Sequence, residues 1–193
     1  QVAPSRVSTD GRFVYLKYWK PRGVTSTSDP SDPTNIIKAG AFNMFPQRLF
    51  TVGRLDKDST GLILLTSDGR VNNAMLRPSL KKEKIYEVKL DKVPSEADLE
   101  RLRRGVVITT AVQRDRVTRD VTAKTLPCGI RRLGGRASPR IEFTLTEGRN
   151  RQIRRMCEAL GYTVVDLHRV SFAGISIKGL RPNTWAQLED DEL

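Results

Sequence analysis

The chain has 193 residues, of which 38% are hydrophobic and 29% charged, and it carries a net charge of +12. That length supports one sizeable core or two small lobes, and the composition is that of an ordinary globular chain. No apolar run approaches the ~20 residues of a membrane-spanning helix, and the two cysteines, Cys128 and Cys157, fit neither a disulfide framework nor a metal-ligand spacing.

In chain order, residues 1–11 read as a lead-in outside the packed domain. The segment 12–18 (RFVYLKY) suits a strand, ended by Lys20-Pro21 and Gly23. Residues 25–35, rich in Ser, Thr, Asp and Pro, read as a loop. A short strand at 49–52 leads into VGRLDKDSTGLILLTSDG (52–69), whose apolar run 62–65 predicts a buried strand over 62–66. A short helix follows at 71–76 and stops before Pro78. The alternation in 84–90 (KIYEVKL) predicts a strand with one wet face. Residues 95–104 predict a helix with a Ser95/Asp98 capping pattern and Gly105 at its stop. The segment 117–126 alternates weakly and reads as a strand, 130–139 as a flexible basic loop, and 140–146 as another strand. A helix is predicted at 150–160, ended by Gly161, with Cys157 as a buried thiol inside it. Strands at 164–170 and 171–177 complete the sheet, and 189–193 reads as an acidic tail. Helices and strands interspersed without a βαβ rhythm predict an α+β fold around a mixed, mainly antiparallel sheet.

The positive charge is clustered. Residues 70–92, 101–120 and 131–155 carry surpluses of four, four and six basic residues. Clustering of this kind favours a polyanion, nucleic acid first, over an evenly solvated surface. His168, the single histidine, has no histidine partner, so it reads as structural and a Ser-His-Asp triad is improbable. The first candidate for chemistry is Asp56, bracketed by Gly53 and Gly61 in a loop that runs into a strand. Such a loop holds a carboxylate in one place and lets a large ligand approach closely, although turn and cap duties are the commoner use of a loop aspartate. The second is EGRNRQIRRM (147–156), where Arg149, Arg151, Arg154 and Arg155 crowd the start of one helix. Cations there oppose the macrodipole, so a negative group is expected nearby, with Asp56 and RNA phosphates as candidates. Ile153 adds an apolar residue suited to packing under a flat ligand. The third is Tyr86, an aromatic in a lysine-rich run, either a core residue or a platform for a nucleobase.

Four stretches together resemble the RsuA-type family of ribosomal RNA pseudouridine synthases, over residues 13–188. WKPRG (19–23) is similar to the family's Lys-Pro-x-Gly element, 52–69 to its catalytic motif, Lys84-Ile85-Tyr86 to its tyrosine element, and 147–156 with Gly161, Leu167 and Arg169 to its arginine element. The resemblance implies a pseudouridine synthase fold, with the sheet in two halves flanking a central RNA-binding cleft. It implies isomerisation of a specific uridine in ribosomal RNA after base flipping, with no cofactor and no metal. Asp56 matches the catalytic aspartate, as a nucleophile at C1′ or on a glycal route. Tyr86 matches the tyrosine that stacks on the target base, and Arg154 the arginine that pairs with the aspartate. Arg54 matches the residue that fills the gap left by the flipped base, and Ile153 the pocket floor. Lys20, Arg149 and Arg151 are the further residues expected to bind substrate. The expected partner is ribosomal RNA, within pre-ribosomal particles or free, acted on by a monomer with no membrane association. A bacterial cytoplasm and a chloroplast or mitochondrial matrix both fit. Many members of the family carry an S4-type RNA-binding domain ahead of the catalytic one. Nothing of that size precedes Phe13: either the protein lacks it, as some members do, or the chain is truncated, and the expectation for this sequence is a catalytic domain over 12–188 with no S4 domain in it. The alternative is a non-catalytic RNA-binding ribosome-assembly factor that keeps the same fold.

Overall fold

A computed structural model of the protein describes residues 13–77, 80–114 and 117–188; the expected lead-in at 1–11 and acidic tail at 189–193 lie outside these. Backbone contacts divide the chain into two units, Gln1–Lys82 with His168–Leu193, and Glu83–Leu167.

The first unit holds strands β1 (Tyr15–Lys20), β2 (Phe50–Val52) and β3 (Thr60–Thr66), the last part of β9 (Val164–Phe172), then β10 (Ile175–Ser176) and β11 (Trp185–Gln187). Its helices are α1 (Ile36–Ala39) and α2 (Gly69–Leu76). β1 lies antiparallel between β3 and β11, β2 pairs antiparallel with β3, and β10 folds back on β9. β3 and β9 run parallel, with Thr60 opposite His168 and Gly61 opposite Arg169. β3 is buried along nearly its whole length, which is why it reads as a continuous apolar run rather than an alternation. Leu62 and Leu64 join a core with Val52, Phe172, Ile175, Ile177 and Leu188. On the opposite face Ile63 and Leu65 sit beside Tyr18 and Leu16 of β1, and Tyr18 meets Phe42 edge-on at 5.1 Å. Asp68 caps α2 by accepting from the Arg70 backbone N–H at 3.0 Å.

The second unit holds β4 (Lys84–Leu90), α3 (Glu96–Arg104), β5 (Val107–Arg114), β6 (Val117–Lys124), β7 (Gly129–Leu133), β8 (Arg140–Leu145) and α4 (Gln152–Glu158). β8 lies antiparallel between β4 and β7, while β5 and β6 form a separate two-stranded ribbon. α3 begins as its sequence predicts: the Ser95 hydroxyl accepts from the Asp98 backbone N–H at 3.1 Å. It stops at Gly105, where φ is +85° and a Cβ would stand 2.3 Å from the Thr125 carbonyl oxygen.

The structure corrects several expectations. The basic loop expected at 130–139 begins as strand β7, because each strand arginine meets a carboxylate: Arg131 pairs with Glu142 of β8 at 2.8 Å and Arg132 with Glu96 at 2.7 Å. The turn proper comes at Gly134 and Gly135, both at positive φ. β5, which the sequence did not reveal, is the partner of the expected strand β6. The break expected between 170 and 171 falls later, at the Ala173-Gly174 turn, where φ is +53° and +89°. α4 starts at Gln152 rather than 150, since Arg151 is left-handed at φ +50°. Among the described residues, no helix is long and apolar enough to cross a membrane.

Candidate active site

The Asp56 loop is fastened to the first unit at four points. The Ser26 hydroxyl donates to the Leu55 carbonyl at 2.8 Å and accepts from the Leu55 N–H at 3.1 Å. The Gly23 N–H donates to the Lys57 carbonyl at 2.8 Å, and a turn closes as the Ser59 N–H donates to the Asp56 carbonyl at 3.1 Å. From β1, the Lys20 ammonium donates to the Pro21 carbonyl at 3.0 Å and to the Lys57 carbonyl at 3.4 Å. The result is a half-buried Asp56 between a buried Leu55 and an exposed Lys57, with Arg54 also exposed. Lys20 was expected to contact substrate. It is 0% exposed and its donors are directed at carbonyls of the chain, so it anchors the loop instead. Burial pushes its ammonium down to about 8, with Asp58 and Asp56 pulling the other way and Arg169 and Arg22 adding to the depression.

The arginine segment belongs to the second unit. Arg149 precedes the helix, and its guanidinium donates to Glu147 at 3.1 Å and to the carbonyls of Ala123 and Lys124 at 3.2 and 2.8 Å. Arg155 donates to the Thr109 carbonyl and to Asn150. Both therefore hold the β5–β6 ribbon against the helix start. Arg149, expected to bind substrate, directs these donors at Glu147 and at main-chain carbonyls of the ribbon's base. Glu147 is the negative group that the crowded cations required: it also accepts from Gln152 at 2.7 Å and from the Leu126 N–H at 2.9 Å. Arg154 donates to the Val164 carbonyl at 3.2 Å, Ile153 is buried on the same helix, and Arg151 is exposed at the helix start. Tyr86 is buried on β4 opposite Phe143 of β8.

Asp56, Arg54 and Lys20 thus lie in the first unit, and Tyr86, Arg149, Arg151, Ile153 and Arg154 in the second. Two residues that shape the site were missed as site residues. Ser26 sits in a serine-rich loop that offers no signal to single it out, whereas Glu147 was visible as the first letter of the arginine segment. His168 has the structural environment expected of it, with Nδ1 2.8 Å from the Thr60 hydroxyl and its ring 4.9 Å from that of Trp19. Cys157 is buried in α4, and burial pushes its thiol up to about 12.

A family model described as RNA pseudouridylate synthase matches residues 14–159. The chain belongs to the RNA pseudouridylate synthase family. Relatives of this synthase place it in the RsuA-type branch. It is 33% identical over 183 residues to the ribosomal large subunit pseudouridine synthase B of Bacillus subtilis (strain 168), covering 93% of this chain and 70% of that one. It is 37% identical over 181 residues to the dual-specificity RNA pseudouridine synthase RluF of Escherichia coli (strain K12), covering 94% of this chain and 56% of that one. The synthase therefore spans little more than half the length of the second relative. A crystal structure of a pseudouridylate synthase superposes with a TM-score of 0.76 at 27% identity, over 93% of this chain and 72% of that one. The mixed, mostly antiparallel α+β fold read from the sequence is the fold of this family.

Proposed function

We propose that the chain isomerises a uridine of ribosomal RNA to pseudouridine, with Asp56 as the acting carboxylate. The observation that carries this reading is the fastened loop: Ser26, Gly23 and Lys20 together hold residues 55–59 while leaving Asp56 half-buried. A carboxylate that must act on a sugar needs that combination of fixed backbone and access. The names of the relatives, both pseudouridine synthases and one of them a ribosomal large subunit enzyme, support the substrate class.

In this reading the target uridine leaves the base stack at a cost of a few kcal/mol, offset by contacts to the extruded base and the backbone. Arg54 fills the place left behind, Tyr86 stacks on the base and Ile153 floors the pocket. Arg154 supplies a cation to the reaction, the role its place in the arginine segment implies. The N1–C1′ bond breaks with Asp56 acting at the sugar, directly on C1′ or along a glycal route. The uracil turns, C5 bonds to C1′, the proton on C5 leaves and N1 regains one. The product is an isomer of the substrate, with no net oxidation. Arg151, exposed at the start of α4, contacts the RNA backbone.

The reading is tested by mapping pseudouridines in ribosomal RNA from cells with the gene, without it, and with Asp56→Asn in its place. One site should vanish in the last two together. Its persistence with Asp56→Asn, while it is lost without the gene, would refute the role of Asp56. No change at any site in the three strains would favour the assembly-factor reading.

A further inference from the structure

Arg169, on β9, is 2% exposed. Its Nε donates to the Leu62 carbonyl at 2.7 Å, and its guanidinium carbon lies 5.2 Å from the centre of the Phe172 ring. Its Nη2 is buried with no hydrogen-bond partner among the described residues. A buried guanidinium with an unused donor is costly to keep, so packing under Phe172 alone is a poor reason for an arginine there. Its backbone also presses on β3: a Cβ on Gly61 would stand 2.3 Å from the Arg169 carbonyl oxygen and 2.5 Å from its nitrogen.

In register, Lys20 lies opposite Gly61 and Gly61 opposite Arg169, so two cationic residues flank a glycine in one row across β1, β3 and β9. Two strand spacings put the outer Cα atoms roughly 10 Å apart. Like charges buried that close are unfavourable unless anions sit beside them. The groups that act on the Lys20 ammonium are Asp58 and Asp56 of the loop, Arg22 just beyond β1 and Arg169 of β9. The row therefore connects β9 to the carboxylate loop through one ammonium, whose contact with that loop is the Lys57 carbonyl.

We propose that Arg169 is a positioning residue for the Asp56 loop and acts through Lys20: its fixed charge behind Gly61 drives the ammonium toward the loop's carboxylates and carbonyls. The proposal rests on the reading of Asp56 as the acting group, but its test does not. In full-length protein labelled with ¹³Cε-lysine, the Lys20 carbon should titrate near 8, as its burial implies. Arg169→Met should raise that titration, and Arg169→Lys, which keeps the charge, should bring most of it back. On ribosomal RNA carrying 5-tritiated uridine, Arg169→Met should lower kcat about tenfold or more while KM stays near the wild-type value. A merely structural arginine would leave the Lys20 titration of a folded Arg169→Met protein unmoved, and that result would overturn the proposal. Should Arg169→Met not fold, Arg169→Gln serves as the neutral replacement. Wild-type Lys20 titrating at the ordinary lysine value overturns the proposal without any variant. Wild-type protein that releases no tritium defeats the proposed function, while the Lys20 titration still decides the role of Arg169.

Discussion

A lysine without exposed surface costs stability while it is charged, and for Lys20 the size of that cost depends on pH. In the unfolded chain it titrates near the ordinary 10.5, and in the fold at about 8. Below the lower value both states carry the proton and burial of the charge destabilises the fold in full. Between the two values the unfolded state binds more protons, so this residue makes stability rise with pH across that window. Urea midpoints followed through it should therefore climb more steeply in wild type than in Lys20→Met; an equal or shallower slope in wild type would contradict the assignment. Lys20 was legible in the sequence as part of the Lys-Pro-x-Gly element, but its burial was not. A pentapeptide records which residues follow one another, whereas the loop carbonyl that meets the ammonium lies 37 residues further on. Asp56 was legible because its glycine brackets are local. Ser26 was not, because the hydroxyl that grips Leu55 looks like every other serine in its loop.

At the scale of elements, the β5–β6 ribbon depends on α4. β6 is exposed over residues 118–122, and two isolated strands are marginal in water, so the arginines at its base are what hold it. Hydrogen bonds from a charged donor contribute about 1.5–3 kcal/mol each. Arg149→Ala should thus speed amide exchange across the ribbon on the order of 10- to 100-fold and leave the amides of β3 as they were. Unchanged ribbon exchange would show that the clamp is idle. Two strands are hidden in the sequence for different reasons. β5 escaped notice because its pairing partner, not its own pattern, defines it. β7 was read as a loop because arginines at 131 and 132 suggested solvent, while the carboxylates that accept them, Glu142 and Glu96, are brought in by β8 and α3. By contrast β3, β4 and α3 were legible from periodicity and capping alone, since their signals are continuous or carried by their own ends.

For the whole molecule, two of the three basic stretches, 101–120 and 131–155, fall in the second unit, and Asp56 with its anchors falls in the first. Under the proposed function the first unit holds the fixed acid and the second the arginine-rich segment. The central claim concerns the carboxylate at position 56, and tritium release tests it most directly, because isomerisation must expel the hydrogen on C5. Ribosomal RNA labelled at C5 of uridine should yield tritiated water in proportion to one modified site with wild-type protein. It should yield none with Asp56→Asn, although that variant still binds the RNA. Release by Asp56→Asn at the wild-type rate, or no release by wild type from any ribosomal RNA, naked or assembled, would contradict the account.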